Sequence, residues 1–173
     1  MVTVITFLWL LNRFLSNRGK PVNWKREALL MLVYICIVVI VRFTFCPFGK
    51  VDGKIQPLIF YTDNWFPFRI NLKPFVYLFD YATLREALLN LIGNITMFIP
   101  VGIVWPCVFK EMDKPWKVIA AGVGFSLVIE IMQLPFYDRL SDIDDLILNS
   151  LGFITGYGIY LLIKKLKSLL SNN

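Results

Sequence analysis

LLNLIGNITMFIPVGIVWPCVF, residues Leu88 to Phe109, carries no charged side chain. At about 1.5 Å per residue such a run is long enough to cross the roughly 30 Å hydrocarbon core of a bilayer as a helix. Three further stretches approach that length: Ala28–Phe45, Val118–Pro135 and Leu146–Ile163. The whole chain agrees with them. Of its 173 residues 57% are hydrophobic and 17% charged, and its mean hydropathy is +0.64, outside the range of soluble domains. The expected fold class is an all-α integral membrane protein, residues 1–173 forming a single domain built as a bundle of four long transmembrane helices.

The opening run Val2–Leu11 is apolar but about half the length of a span, and it ends at Asn12 and Arg13. That pattern suits a short N-terminal helix lying in the membrane interface better than a crossing one. A secretory signal fits less well, because no positive n-region precedes the run and no small-residue cleavage site follows it.

Net charge is +6, yet the basic residues gather at span ends and not along a face, so nucleic acid is not an expected partner. Arg13, Arg18, Lys20, Lys25 and Arg26 precede the first long span. Lys110, Lys114 and Lys117 separate the second from the third, and Lys164, Lys165 and Lys167 follow the fourth. Alternating helices put all three groups on one side, which the positive-inside rule makes the cytoplasm. The expected topology is therefore a multi-pass protein of the cell membrane with the 46–86 and 136–145 loops outside and the C-terminus inside. The long loop interleaves Pro47, Pro57, Pro67 and Pro74 with ten aromatic residues between Phe48 and Tyr81, a composition that suits a segment lying on or dipping into the headgroup layer.

Histidine is absent, which excludes a Ser-His-Asp triad, a Cys-His pair and any histidine-ligated metal. No CxxC pair is present either, and nothing calls for a cofactor. Chemistry here would rest on carboxylates, amides, arginine or a hard cation.

Those residues are placed unusually. Ionisable groups at membrane depth are costly unless they face a protein interior or water and are paired. Residues three and four apart share a helix face, so Glu86, Asn90 and Asn94 form one stripe, Glu130 and Gln133 a second, and Asp142, Asp145, Asn149, Gly152 and Gly156 a third. Under the alternating topology all three lie at the same depth on the outer side. Amides alone are explained by hydrogen bonds that tie spans together; several carboxylates in one place are not, because like charges repel. A shared polar pocket follows as the expectation, with Arg85 or Arg139 available to neutralise it. Gly152 with Gly156, and Ala120 with Gly124, form small-xxx-small pairs that predict close helix approach. Pro100 and Pro106 interrupt the second span and predict a bend.

Asn90–Gly102 (NLIGNITMFIPVG), Ile129–Gln133 (IEIMQ), Arg139–Gly156 (RLSDIDDLILNSLGFITG) and the preceding Ile70–Phe75 (INLKPF) together resemble the signatures of the VanZ-like membrane proteins, over more than half of the chain. Carried over by position, the resemblance implicates Asn71, Pro74, Arg85, Asn90, Asn94, Glu130, Gln133, Arg139, Asp142, Asp145 and Asn149. It implies a part in low-level resistance to teicoplanin, a lipid-tailed glycopeptide, in Gram-positive bacteria. The expectation is a non-catalytic binder of a cell-envelope lipid, a cell-wall precursor lipid or the glycopeptide's tail. Two alternatives remain open at this point. One is a membrane enzyme acting on a lipid headgroup through clustered carboxylates, with Mg²⁺ or Ca²⁺ at Glu130, Asp142 and Asp145 as a speculative addition; the other is a lipid transporter.

Overall fold

A computed structural model describes residues 2–19, 21–45, 50–51, 54–55, 70–76, 83–112, 114–136 and 141–171. Five helices carry the chain: α1 (Val2–Asn17), α2 (Trp24–Phe45), α3 (Leu84–Val108), α4 (Pro115–Gln133) and α5 (Ile143–Ser171). The last four are long and apolar enough to span a membrane. Four two-residue strands complete the described elements: β1 (Lys50–Val51), β2 (Lys54–Ile55), β3 (Ile70–Asn71) and β4 (Ser141–Asp142). The protein is an all-α, multi-pass membrane protein, as its hydropathy required.

Each span starts before its apolar run, and polar residues or a proline supply the starts of the last three. Thr83 caps α3, its hydroxyl accepting the Glu86 N–H at 3.2 Å. Pro115 opens α4 at a position where its missing N–H costs nothing. Asp142 caps α5 by accepting the Asp144 N–H at 2.9 Å. Both Pro100 and Pro106 lie inside α3, which remains one helix across them.

α1 differs from the interfacial expectation. Thr6 Oγ1 and Tyr34 Oη share a 2.6 Å hydrogen bond, and Arg13 is paired with Glu27 through two nitrogens, Nε donating to Oε2 at 2.8 Å. Contacts that advance along α1 as they retreat along α2 make the helices antiparallel neighbours. α1 therefore runs beside a span instead of lying flat across it, held by a ring contact between Trp9 and Tyr34 at 4.8 Å and by the ion pair. At 16 residues it extends only about 24 Å, short of a full crossing.

Lipid tails are as apolar as leucine, so burial of hydrophobic surface does little to join helices in a membrane; close backbone packing does more. α3 and α5 meet in that way. A Cβ built on Gly152 would stand 2.1 Å from the Ile95 carbonyl oxygen, one on Gly156 2.1 Å from that of Ile99, and one on Gly102 2.1 Å from that of Phe153. The Gly152/Gly156 pair thus does what its spacing predicts, and Gly102 answers from the other helix. The Ala120/Gly124 pair does not: a Cβ on Gly124 meets nothing within 4 Å. On α4 the closely packed glycine is Gly122, whose space is filled by the Phe153 ring. Phe153 is fully buried with Ile40, Phe98, Val101 and Val118 in the core, and Trp105 meets it edge-on at 5.5 Å.

Candidate polar site

The polar stripes converge where α4 ends and α5 begins. β3 and β4 pair in parallel, Ile70 opposite Ser141 and Asn71 opposite Asp142, which brings the INLKPF segment onto the start of α5. Asn71 Nδ2 donates to Asp142 Oδ1 at 3.0 Å, and its own Oδ1 accepts the Lys73 N–H at 3.1 Å. The Asp144 carboxylate accepts the Phe75 N–H with both oxygens, at 2.9 and 3.1 Å. Phe75 follows Pro74 with φ of 63°, a left-handed conformation that non-glycine residues rarely adopt. The Asp144 clasp holds it there.

Helix-to-helix ties lie just below. Glu130 Oε2 accepts the Asp142 N–H at 3.1 Å, and the Ser141 side chain also bonds Glu130, so the last turn of α4 is fastened to β4. Asn94 Nδ2 donates to Asp145 Oδ1 across α3 and α5 and to Asn90 Oδ1 within α3, the latter at 3.3 Å. Deeper still, Asn149 Nδ2 donates to Ser126 Oγ at 3.1 Å between α5 and α4. Glu130 is within electrostatic reach of Asp145 and Asp142.

Two acceptors in this cluster have nothing to accept. Gln133 Oε1 and Asn149 Oδ1 are buried without a hydrogen-bond partner among the described residues, in side chains 5% and 4% exposed. An unpaired buried acceptor costs about 1–3 kcal/mol. Glu130, 4% exposed, lies one turn from Gln133 on the same face.

Of the residues singled out in the sequence, the structure bonds Asn71, Asp142 and Glu130 into one group and Asn90, Asn94 and Asp145 into a second within electrostatic reach of Glu130, places Asn149 one tie deeper, and sets Gln133 on the Glu130 face of α4. Pro74 lies in the 71–76 turn. Arg139 falls outside the described residues, as does most of the 46–86 loop with its aromatic run. Arg85 is not brought in. It is exposed and lines a groove of about 530 Å³ with Leu88, Leu89, Ile92 and Thr96. At 100° per residue it sits about half a turn around α3 from Asn94, and so cannot neutralise Asp145. The hard-cation addition also loses its basis: among the described residues no three acidic or sulfur side chains are grouped closely enough to hold a metal ion. Asp142 and Asp145 point their oxygens at asparagine amides instead.

Asp144 lies off the three stripes, and Ser126 was not among the sequence candidates. Ser126 could have been found, since it lies four residues before Glu130 on the same face. Asp144 gave no such signal, because its partner is a main-chain N–H of a distant turn. Truncating it to alanine is expected to free the 71–76 segment and to lower stability by about 1–3 kcal/mol; a thermal melt of the purified variant checks this, and an unchanged midpoint would show that the clasp contributes nothing.

Residues 31–164 match the VanZ/LLP1 family profile. Protein VanZ of Enterococcus faecium is 33% identical over 107 residues, an alignment that covers 62% of this chain and 62% of that protein; the chain thus spans less than two thirds of the relative's length. No solved structure matches. With the matched region running through all four spans and every tie of the polar cluster in α3, α4 and α5, the chain belongs to the VanZ/LLP1 family.

Proposed function

We propose that the polar cluster is an outward-facing pocket for the polar part of a cell-envelope lipid or of a lipid-tailed glycopeptide, and that binding there lowers the drug's access to its target. The observation that carries this reading is the pair of buried unpaired acceptors, Gln133 Oε1 and Asn149 Oδ1, beside Glu130. A hydroxyl, amide or ammonium group of a ligand satisfies them, and native interiors seldom leave such atoms unmet.

The resemblance to the VanZ-like proteins points the same way, to teicoplanin as the drug. Expression of the chain in a susceptible Gram-positive host is expected to raise the inhibitory concentration of teicoplanin several-fold and to leave that of a glycopeptide without a lipid tail unchanged. Equal changes for both drugs, or none for either, would end the proposal. The enzyme reading has less support, because Asp142, Asp144 and Asp145 are each engaged in bonds that position the chain.

A further inference from the structure

The opposite end of the bundle holds a second cavity that the polar cluster does not reach. A cleft of about 720 Å³ lies between the C-terminal half of α1, the first turns of α2 and the end of α3. Its size is within the range of small-molecule sites. Lys25, Arg26 and Lys110 line it, with Glu111 as the opposing charge, while Arg13, also in the wall, is already neutralised by Glu27. Hydroxyl and amide groups of Ser16, Asn12 and Asn23 stand between these charges, and the Asn23 side chain accepts the Arg26 N–H at 3.2 Å. Leu29, Leu30 and Val108 form the apolar side.

The position decides what such a cleft takes. Trp24 and Val108 are the ends of two helices long and apolar enough to span a membrane, and charged residues at span ends sit at headgroup level, which puts Lys25, Arg26 and Lys110 there and Leu29 and Leu30 at the level where acyl chains begin. Two further basic clusters lie at this end, Lys114 and Lys117 at the start of α4 and Lys164, Lys165 and Lys167 near the end of α5, and add to the field. A phosphate needs hydrogen-bond donors and net positive charge; a phospholipid needs, in addition, apolar wall continuous with the bilayer. The cleft offers all three.

We propose that this cleft is a binding site for the phosphate of an anionic phospholipid, seated between α1, α2 and α3 at the end of the bundle remote from the polar cluster. Such a lipid bridges α1 to the spans, supplementing the Arg13–Glu27 pair, and its acyl chains follow Leu29 and Leu30 into the membrane. The proposal is independent of the pocket at the other end and stands or falls separately.

Native mass spectrometry of the purified full chain tests it, with phosphatidylglycerol or phosphatidylcholine titrated in detergent. The wild-type chain is expected to retain one phosphatidylglycerol in preference to phosphatidylcholine. A Lys25→Gln/Arg26→Gln/Lys110→Gln variant is compared with Lys114→Gln/Lys164→Gln/Lys165→Gln, which removes as much charge from residues that do not line the cleft. Diffuse attraction, at about fivefold per cation near an anionic surface, weakens both equally; a seated headgroup weakens the first by at least about tenfold more. Equal losses, or no loss in the first variant, overturn the site. Inorganic phosphate that displaces the lipid at equal concentration shows a free anion to be the occupant and overturns the lipid assignment. Should the triple variant fail to fold, Lys110→Gln alone, in the turn after α3, carries the same comparison against Lys164→Gln.

Discussion

Gly152→Ala is expected to cost at least about 3 kcal/mol, the upper part of the range for overpacking a filled interior. The added methyl would lie 2.1 Å from the Ile95 carbonyl oxygen, and what it meets is backbone, which cannot rotate away as a side chain can. Restoring ordinary contact requires α5 to retreat from α3 by about 1 Å. That movement also loosens Gly156 against Ile99, Gly102 against Phe153, and the Asn94–Asp145 bond that depends on the same spacing. Gly124→Ala is the control. Nothing lies within 4 Å of its Cβ, and alanine is better than glycine in a helix by up to about 1 kcal/mol, so this variant should hold or gain stability. Melting midpoints of the two proteins in detergent, with their yields from the membrane, decide the matter: a Gly152→Ala protein as stable as Gly124→Ala would mean that α3 and α5 do not pack through these glycines.

The two small-residue pairs also show how far the sequence could be read. Spacing alone marks a face on which another helix can come close, and for Gly152 and Gly156 a partner was there. Gly124 has the same spacing from Ala120 and no partner, because α4 turns Gly122 toward Phe153 instead. The motif records an opportunity and says nothing of what fills it. The four spans were legible because hydropathy is a property of each segment by itself. Convergence of the polar stripes was legible because alternating helices fix the depth of each residue, and Asn94, Asp145, Glu130 and Asp142 do meet.

What the sequence hid were relationships between a side chain and a remote main chain. Asp144 lies off the Asp142–Asp145–Asn149 face, so periodicity assigned it no role, yet its carboxylate fixes a turn on a segment 69 residues away. The parallel pairing of β3 with β4 left no trace either, since two-residue strands are too short to show alternation. α1 illustrates a different gap. Its length argued for the interface, and only the meeting of Arg13 with Glu27 and of Thr6 with Tyr34 turned it alongside α2. Arg85 stood near the right depth, but depth does not fix azimuth around a helix.

Glu130→Gln is expected to abolish protection against teicoplanin while leaving the protein folded and present in the membrane at near wild-type amounts. The structural duties of Glu130 are to accept the Asp142 N–H at 3.1 Å and to bond the Ser141 side chain; a glutamine oxygen accepts the first equally well, and its amide donates to the serine hydroxyl. Removing the charge also removes repulsion from Asp145 and Asp142, so the fold has no reason to weaken. A ligand that offers a cationic or strongly polarised donor to this cluster does lose something, since hydrogen bonds to charged groups contribute about 1.5–3 kcal/mol, about ten- to a hundredfold in affinity. Asp144→Ala sets the contrast, because its loss falls on a structural bond and should lower stability and protection together. If Glu130→Gln melts as early as Asp144→Ala, Glu130 is one more tie between α4 and β4. Full protection with the glutamine in place would show that its charge is not used, and the ligand would then have to be sought at Gln133 and Asn149 alone.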